Sequence, residues 1–393
     1  MSIMHDEAWI GKRLCDLRKQ HLDRNLHVYP EAGGKIRIRD RTYLNFSSND
    51  YLNLARHPHV VARAAEALRG SGCGATASRL VTGTLTCHDE LEQSLARHKG
   101  YPCALLFGSG FLANCGTIPA LAGRSDCVFA DKLVHASIVD AVILSRSKLH
   151  RFHHNDAEHL EQLLKKSGTA GCKLVVTESV FSMDGDLAPL QDIADVAQRH
   201  GAMVMVDEAH ATGVFGCKGG GLVREWALES LINIDLGTLS KALGGYGGFV
   251  ACSESVRDFL INRARSFIYS TALPPSVVGA AIGALQVIDG SCDLGAQLLA
   301  NSADFRDRLQ EAGLNTGNSA SQIIPVMVGG NSEALSISKK LREQGVIGVA
   351  IRPPTVPQGS ARVRLSVTLA HTKEDLEHAA EVIIAASKSE GLL

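Results

Sequence analysis

No stretch of this sequence approaches the roughly 18 consecutive apolar residues of a membrane-spanning helix. The opening MSIMHDEAWIGKRL has early acids and no apolar core, so neither a secretion signal nor a membrane partner is expected. Charge of one sign is not in excess. Forty Lys and Arg face 41 Asp and Glu, a net charge of −1, which gives no general attraction to nucleic acid or anionic lipid. No two of the ten cysteines form a C-x-x-C pair, and no ligand cluster for zinc is visible. Cys103 and Cys127 lie inside apolar runs, the pattern of reduced thiols in a cytoplasmic protein. The 16 histidines include no H-E-x-x-H. His150, His153 and His154 form a loose group that reads either as metal ligands or, more simply, as a polar turn after the strand-like KLHRFHH. Also missing is any G-x-x-x-x-G-K-[ST] phosphate loop.

What is present is ordinary globular composition, 45% hydrophobic and 21% charged over 393 residues, enough for two to three domains. Residues 1–45 read as an amphipathic helix followed by a β segment. From there to about 290, short continuous apolar runs alternate with helix-period segments. Strands are expected at 104–107, 127–130, 173–179, 202–208, 234–239 and 247–253. Helices are expected at ASIVDAVILS and LQDIADVAQRHG, the second stopped by Gly201. Continuous apolar strands spaced by helices predict an α/β fold with a mostly parallel sheet covered on both faces. Residues 291–393 change character. QIIPVMV, GVIGVAIR and ARVRLSV read as strands, with ALSISKKLREQG and KEDLEHAAEVIIAASK as helices, a smaller α+β domain.

In open α/β sheets, ligands collect at the carboxyl ends of the strands. Three such ends stand out. After ALLF, Gly108-Ser109-Gly110 leads into a helix N-terminus, which suits a phosphate but equally a tight turn. After AMVMV come Asp207, Glu208 and His210. The acidic box of an ATPase would need the absent phosphate loop, which leaves a ligand-facing carboxylate or a helix cap. After IDLGTL, Ser240-Lys241 precedes four glycines within eight residues, with Thr238 just upstream. Most lysines are solvated, but glycines at this density signal close backbone packing. Together the three segments suit pyridoxal 5′-phosphate (PLP). The lysine amine would bond the aldehyde, the acid would pair with the ring nitrogen, and the cradle would hold the phosphate.

VVTESVFSMDGDLAPL, VDEAHATGVFG and GTLSKALGGYGGF, in this order, resemble the α-oxoamine synthases, fold-type I PLP enzymes that join an amino acid to an acyl thioester with loss of carbon dioxide. The resemblance runs from YLNFSSNDYLNL to ARVRLSVTLAH. One departure is Asn53, where the family usually has glycine. AIRPPTVPQGSARVRLSVTLAH is most similar to the branch that uses L-alanine and a pimeloyl thioester, on coenzyme A or acyl carrier protein, on the way to biotin. Glycine C-acetyltransferase or another sister activity remains the alternative.

The resemblance implies the following roles. Lys241 would carry the cofactor and act as base. Asp207 would meet the ring nitrogen and His210 the phenolic oxygen. His135 would stack on the ring, although alone it reads as a helix-start residue. Gly110, Phe111 and Thr238 would hold the phosphate, with Ser182 near the ring. Arg364 would bind the amino acid's carboxylate, although with Arg362 it also reads as a plain strand-face arginine. Asn49 would lie nearby. Thr355 and Arg24 would contact the acyl substrate, Arg24 at its distal carboxylate. Ser270 and Thr271 would reach the phosphate of a partner subunit in a homodimer.

Overall fold

The computed structural model describes residues 8–31, 33–168, 171–291 and 293–393. The opening MSIMHDE and Cys292 lie outside these residues. The central sheet has seven strands: β3 (Cys103–Phe107), β4 (Cys127–Asp131), β5 (Lys148–Phe152), β6 (Lys173–Glu178), β7 (Met203–Asp207), β8 (Ile234–Thr238) and β9 (Gly248–Cys252). Their order is β3-β9-β8-β7-β6-β4-β5. All neighbours pair in parallel except β9, which runs antiparallel to both β3 and β8. Six carboxyl ends, those of β3, β4, β5, β6, β7 and β8, therefore open on one edge.

Alternate residues of these strands feed two separate cores. Val204 and Val206 pack on one face of the sheet, and Met205 on the other. Two apolar faces are why the strands read as unbroken hydrophobic runs. The expected helices form at Ala136–Ser145 and Leu190–Arg199. KLHRF is the edge strand β5, with His150 stacked on Phe129 at 4.9 Å.

Two small sheets complete the fold. One joins β1 (Lys35–Ile38) and β2 (Arg41–Asn45) to β11 (Val346–Ile347). The other is β10 (Ile323–Gly329), β13 (Ala361–Ser366) and β12 (Val349–Ile351). GVIGVAIR, expected as one strand, is therefore two strands in different sheets. The switch falls at Gly348, where a Cβ would sit 3.1 Å from both Val363 and Leu365. The polar groups of β2 face the later chain: Leu44 N–H donates to Gly345 O and Phe46 N–H to Ile347 O. Asn53 has φ +56, and its N–H donates to Asp50 O. Asparagine tolerates this left-handed turn better than other non-glycine residues, so the departure from glycine keeps the turn.

Candidate active site

The expected phosphate cradle begins at the end of β3. Ser109 caps the helix Gly110–Leu121, its hydroxyl accepting from Leu112 N–H at 3.1 Å. The N–H groups of Gly110 and Phe111 have no partner among the described residues, as expected at the first turn of a helix. Gly248 pairs with both Phe107 and Thr238. A Cβ there would lie 2.5 Å from Gly110 N and from Ser109 C, so only glycine lets the loop fold over β9. Thr238 faces Gly110, and its hydroxyl lies 2.8 Å from that of Ser240. Two free N–H groups, a helix dipole and two hydroxyls thus converge.

Lys241 follows β8 and is half-buried, its Nζ 3.0 Å from His210 Nε2. His210 Nδ1 is 2.7 Å from the Tyr51 hydroxyl, which donates to Asn49 Oδ1 at 3.2 Å. With Lys241 donating to Nε2, the imidazole proton sits on Nδ1 and the chain Lys241–His210–Tyr51–Asn49 runs in one direction. Burial, together with Lys241 and Arg364, holds His210 well below its ordinary pKa, so the ring is neutral. Desolvation also lowers Lys241, to about 8, against the opposing pull of Asp207. A lysine in this range supplies a neutral amine near physiological pH.

Asp207 ends β7 with both carboxylate oxygens engaged. Oδ1 accepts from Ala209 N–H at 3.0 Å and Oδ2 from Asn114 Nδ2 at 2.9 Å. The same Asn114 nitrogen donates to Ser137 Oγ at 3.0 Å, and Ser137 Oγ lies 2.8 Å from His135 Nδ1. His135 caps the helix Ala136–Ser145 as its helix-start reading required, and its exposed ring stands at the site's lip. A polar chain therefore links the two residues expected at the cofactor's ring nitrogen and face.

Arg362 and Arg364 lie two apart on β13, both buried, and have different partners. Arg362 Nη1 pairs with Asp184 at 2.5 Å. Arg364 meets no carboxylate among the described residues. Its Nε donates to Ser182 O at 2.7 Å and its Nη1 to Ser366 Oγ at 3.0 Å, with longer 3.4 Å contacts to Asn49. A buried guanidinium without a counter-ion is a ready site for an incoming carboxylate. Ser182 contributes its carbonyl to this arrangement.

Arg24 and Thr355, 331 residues apart in sequence, meet at 3.4 Å in a cleft of about 530 Å³. Arg352 stands beside them and donates to the carbonyls of His21 and Asp23. Ser270 and Thr271 line a small cavity with Gly108 and Arg79. Thr271 bridges to Ser78. The loose histidine group divides. His154 lies between Asp131 and Asp186, while His153 approaches Asp156 and His159. His159 Nδ1 already accepts from His153 N–H at 2.9 Å, and the two rings stack at 3.9 Å.

Asn114, Tyr51, Glu178 and Ser240 belong to the constellation without having been anticipated. A lone asparagine in the apolar helix GFLANCGTIPAL was the available signal for the first; the others had none beyond position at a strand end or loop.

The donor set fits PLP: a cradle for a dianion, a fixed carboxylate, a neutral imidazole and a lysine of lowered pKa at one sheet edge. Residues 41–383 match the family model of class I and II aminotransferases. An 8-amino-7-oxononanoate synthase from Geobacter sulfurreducens is 46% identical over 387 residues, covering 98% of this chain and 99% of the relative. A serine palmitoyltransferase variant from S. paucimobilis, solved with bound PLP–myriocin, matches with a TM-score of 0.93 and 30% identity over all of both chains. An 8-amino-7-oxononanoate synthase from Francisella tularensis matches with a TM-score of 0.76 and 30% identity, over 89% of this chain and 99% of the other. The chain therefore belongs to the class I and II aminotransferase family as a PLP-dependent acyltransferase of fold type I, in the α-oxoamine synthase group that includes the 8-amino-7-oxononanoate synthases.

Proposed function

We propose that the protein condenses L-alanine with a pimeloyl thioester, on coenzyme A or acyl carrier protein, to give 8-amino-7-oxononanoate, carbon dioxide and free thiol in biotin biosynthesis. The observation that carries this reading is Lys241, lowered to about 8 and 3.0 Å from a neutral His210, in a site that also holds Asp207 and the counter-ion-free Arg364.

PLP, when bound, supplies an electron sink for negative charge on the amino acid's α-carbon. Gly110, Phe111, Thr238 and Ser240 hold its phosphate. Asp207, fixed by Asn114 and Ala209, pairs with the ring nitrogen. His135 would cover the ring, His210 would meet the phenolic oxygen, and the Ser182 hydroxyl would serve the ring. Arg364, with Asn49 beside it, takes alanine's carboxylate in a two-pronged hydrogen bond. Lys241 as a neutral amine accepts the α-proton and returns it. Arg24 and Thr355 receive the distal carboxylate of the acyl chain, and the adjacent Arg352 adds positive charge there.

A homodimer fits the apolar side chains left exposed next to site segments: Phe111 after the phosphate loop, Tyr246 in the glycine turn, and Tyr269 before Ser270 and Thr271. In that assembly Ser270 and Thr271 complete the partner's phosphate site. A cytoplasmic location agrees with the buried free thiols Cys103 and Cys252. The test is product formation from alanine with pimeloyl-coenzyme A and with pimeloyl-acyl carrier protein, against glycine with acetyl-coenzyme A. Turnover of the last pair alone would replace this reading with glycine C-acetyltransferase.

A further inference from the structure

Glu178 is a buried acid at the heart of the site to which the reaction assigns no task. It ends β6, directly opposite Asp207 in the parallel register of β6 and β7, so both side chains leave the sheet on the same face. Its side chain is 3% exposed, and no Lys, Arg or His pairs with it among the described residues. Oε1 accepts the backbone N–H of His135 at 2.5 Å across 43 residues of sequence. His135 is thus held at two points: its ring nitrogen by Ser137, and its backbone by Glu178.

We propose that Glu178 is a positioning residue that sets, through the backbone N–H of His135, the angle at which the His135 ring covers the cofactor. This rests on the reading of His135 as the ring-stacking residue. The hydrogen bond requires only an acceptor oxygen, and a neutral carboxyl group provides one. Neutrality also suits its neighbour. Burial first, then the adjacent Asp207, push Glu178 well above the ordinary carboxyl range, with Lys241 opposing. Two ionised carboxylates side by side in a dry site would repel, whereas a protonated Glu178 leaves Asp207 as the negative charge at the ring nitrogen.

The test compares Glu178→Gln, which keeps a neutral acceptor, with Glu178→Met, which keeps the volume and removes it. His135→Ala serves as the reference. Two quantities are read: the dissociation constant for PLP, by absorbance titration of the apo-enzyme, and the visible circular dichroism of bound PLP, which reports how asymmetrically the ring is held. Glu178→Gln is expected within twofold of wild type in affinity with its dichroism band intact. Glu178→Met is expected to weaken PLP binding about tenfold and flatten the band, as His135→Ala does. Combining the two should add little to His135→Ala alone. If Glu178→Met does not fold, Glu178→Asp, one carbon too short for the contact, takes its place. Wild-type affinity and dichroism in Glu178→Met, with both altered in His135→Ala, would overturn the positioning role. Loss in Glu178→Gln equal to that in Glu178→Met would overturn the neutral-acceptor role. An unaltered His135→Ala would instead overturn the ring-stacking reading itself.

Discussion

His154 is held between two carboxylates. Its Nδ1 lies 3.0 Å from Asp131 and its Nε2 2.8 Å from Asp186, with the side chain 25% exposed. Burial opposes its charge, but the two aspartates outweigh burial and raise it from 6.5 to about 10. The imidazolium ties the end of β4 to the Asp186 loop, and Asp131 also holds the backbone N–H groups of Leu133 and Asn155. Because the folded pKa exceeds the unfolded one, the stabilisation is complete below pH 6.5 and is lost as pH rises through 10. A shift of that size corresponds to at most about 5 kcal/mol, at about 1.4 kcal/mol per unit. Between pH 6 and pH 9 the contribution should fall by about 3 kcal/mol. The perturbation is His154→Gln, which keeps hydrogen-bonding groups and cannot titrate. The assay is urea unfolding of both proteins, followed by far-ultraviolet circular dichroism at the two pH values, and the quantity is the stability gap between them. Titrations elsewhere are shared and cancel. The gap should narrow by about 3 kcal/mol on going to pH 9. A gap that stays constant would refute the charged sandwich.

Three further outcomes follow from the site. Asp207→Asn should retain PLP binding but slow α-proton exchange from alanine roughly a thousandfold, since a charge pair at 4 Å carries about 4 kcal/mol at an effective dielectric of 20; exchange followed by NMR in deuterated water checks this. Arg364→Lys should raise the KM for alanine about tenfold or more while leaving the KM for the acyl donor near wild type, because a lysine loses the two-pronged contact. Lys99→Met should lower unfolding stability by about 3–5 kcal/mol, because it strands Glu208 and Asp235 in the core; the urea midpoint reads it.

The strands were legible because burial on both faces writes continuous apolar runs, and ASIVDAVILS marks its helix without a shift at either end. The single strand expected at GVIGVAIR failed for a physical reason. The hydrophobic pattern records that a residue is buried and does not record in which sheet, so a change of sheet at Gly348 leaves no trace in it. At the site, glycines and strand-end polar residues pointed to Lys241, Asp207 and Gly110 because cofactor chemistry demands those residue types after strands. Asn114, Tyr51 and Glu178 act on other residues through long-range or isolated hydrogen bonds, and such contacts impose no spacing on the sequence. Arg24 and Thr355 came from family resemblance, since nothing local predicts a meeting across 331 residues.

Two lysines show what a structure adds that sequence reading cannot supply. Lys99 and Lys241 each end up against the central domain's polar interior, and each stands within a few residues of glycine. Lys99 is fully buried, with Glu208 at 2.5 Å and Asp235 at 2.9 Å. Burial works against its charge, and the two carboxylates overcome that and raise its pKa. It is a locked cation whose anchor, Glu208, also accepts the N–H groups of Leu222 and Val223. Glu208, the first residue after β7, therefore faces structure while Asp207, the last residue of β7, faces the candidate site, because consecutive residues of extended chain leave opposite faces. Lys241 has no carboxylate within salt-bridge distance among the described residues, only a neutral imidazole. Its charge is left undercompensated, and its amine is the one that can give up a proton near neutral pH. The division of labour between the two lysines thus follows from the alternation at one Asp-Glu pair: Glu208, turned inward, joins Asp235 in locking Lys99, and Asp207, turned toward the site, forms no salt bridge with Lys241 and leaves its amine free to react.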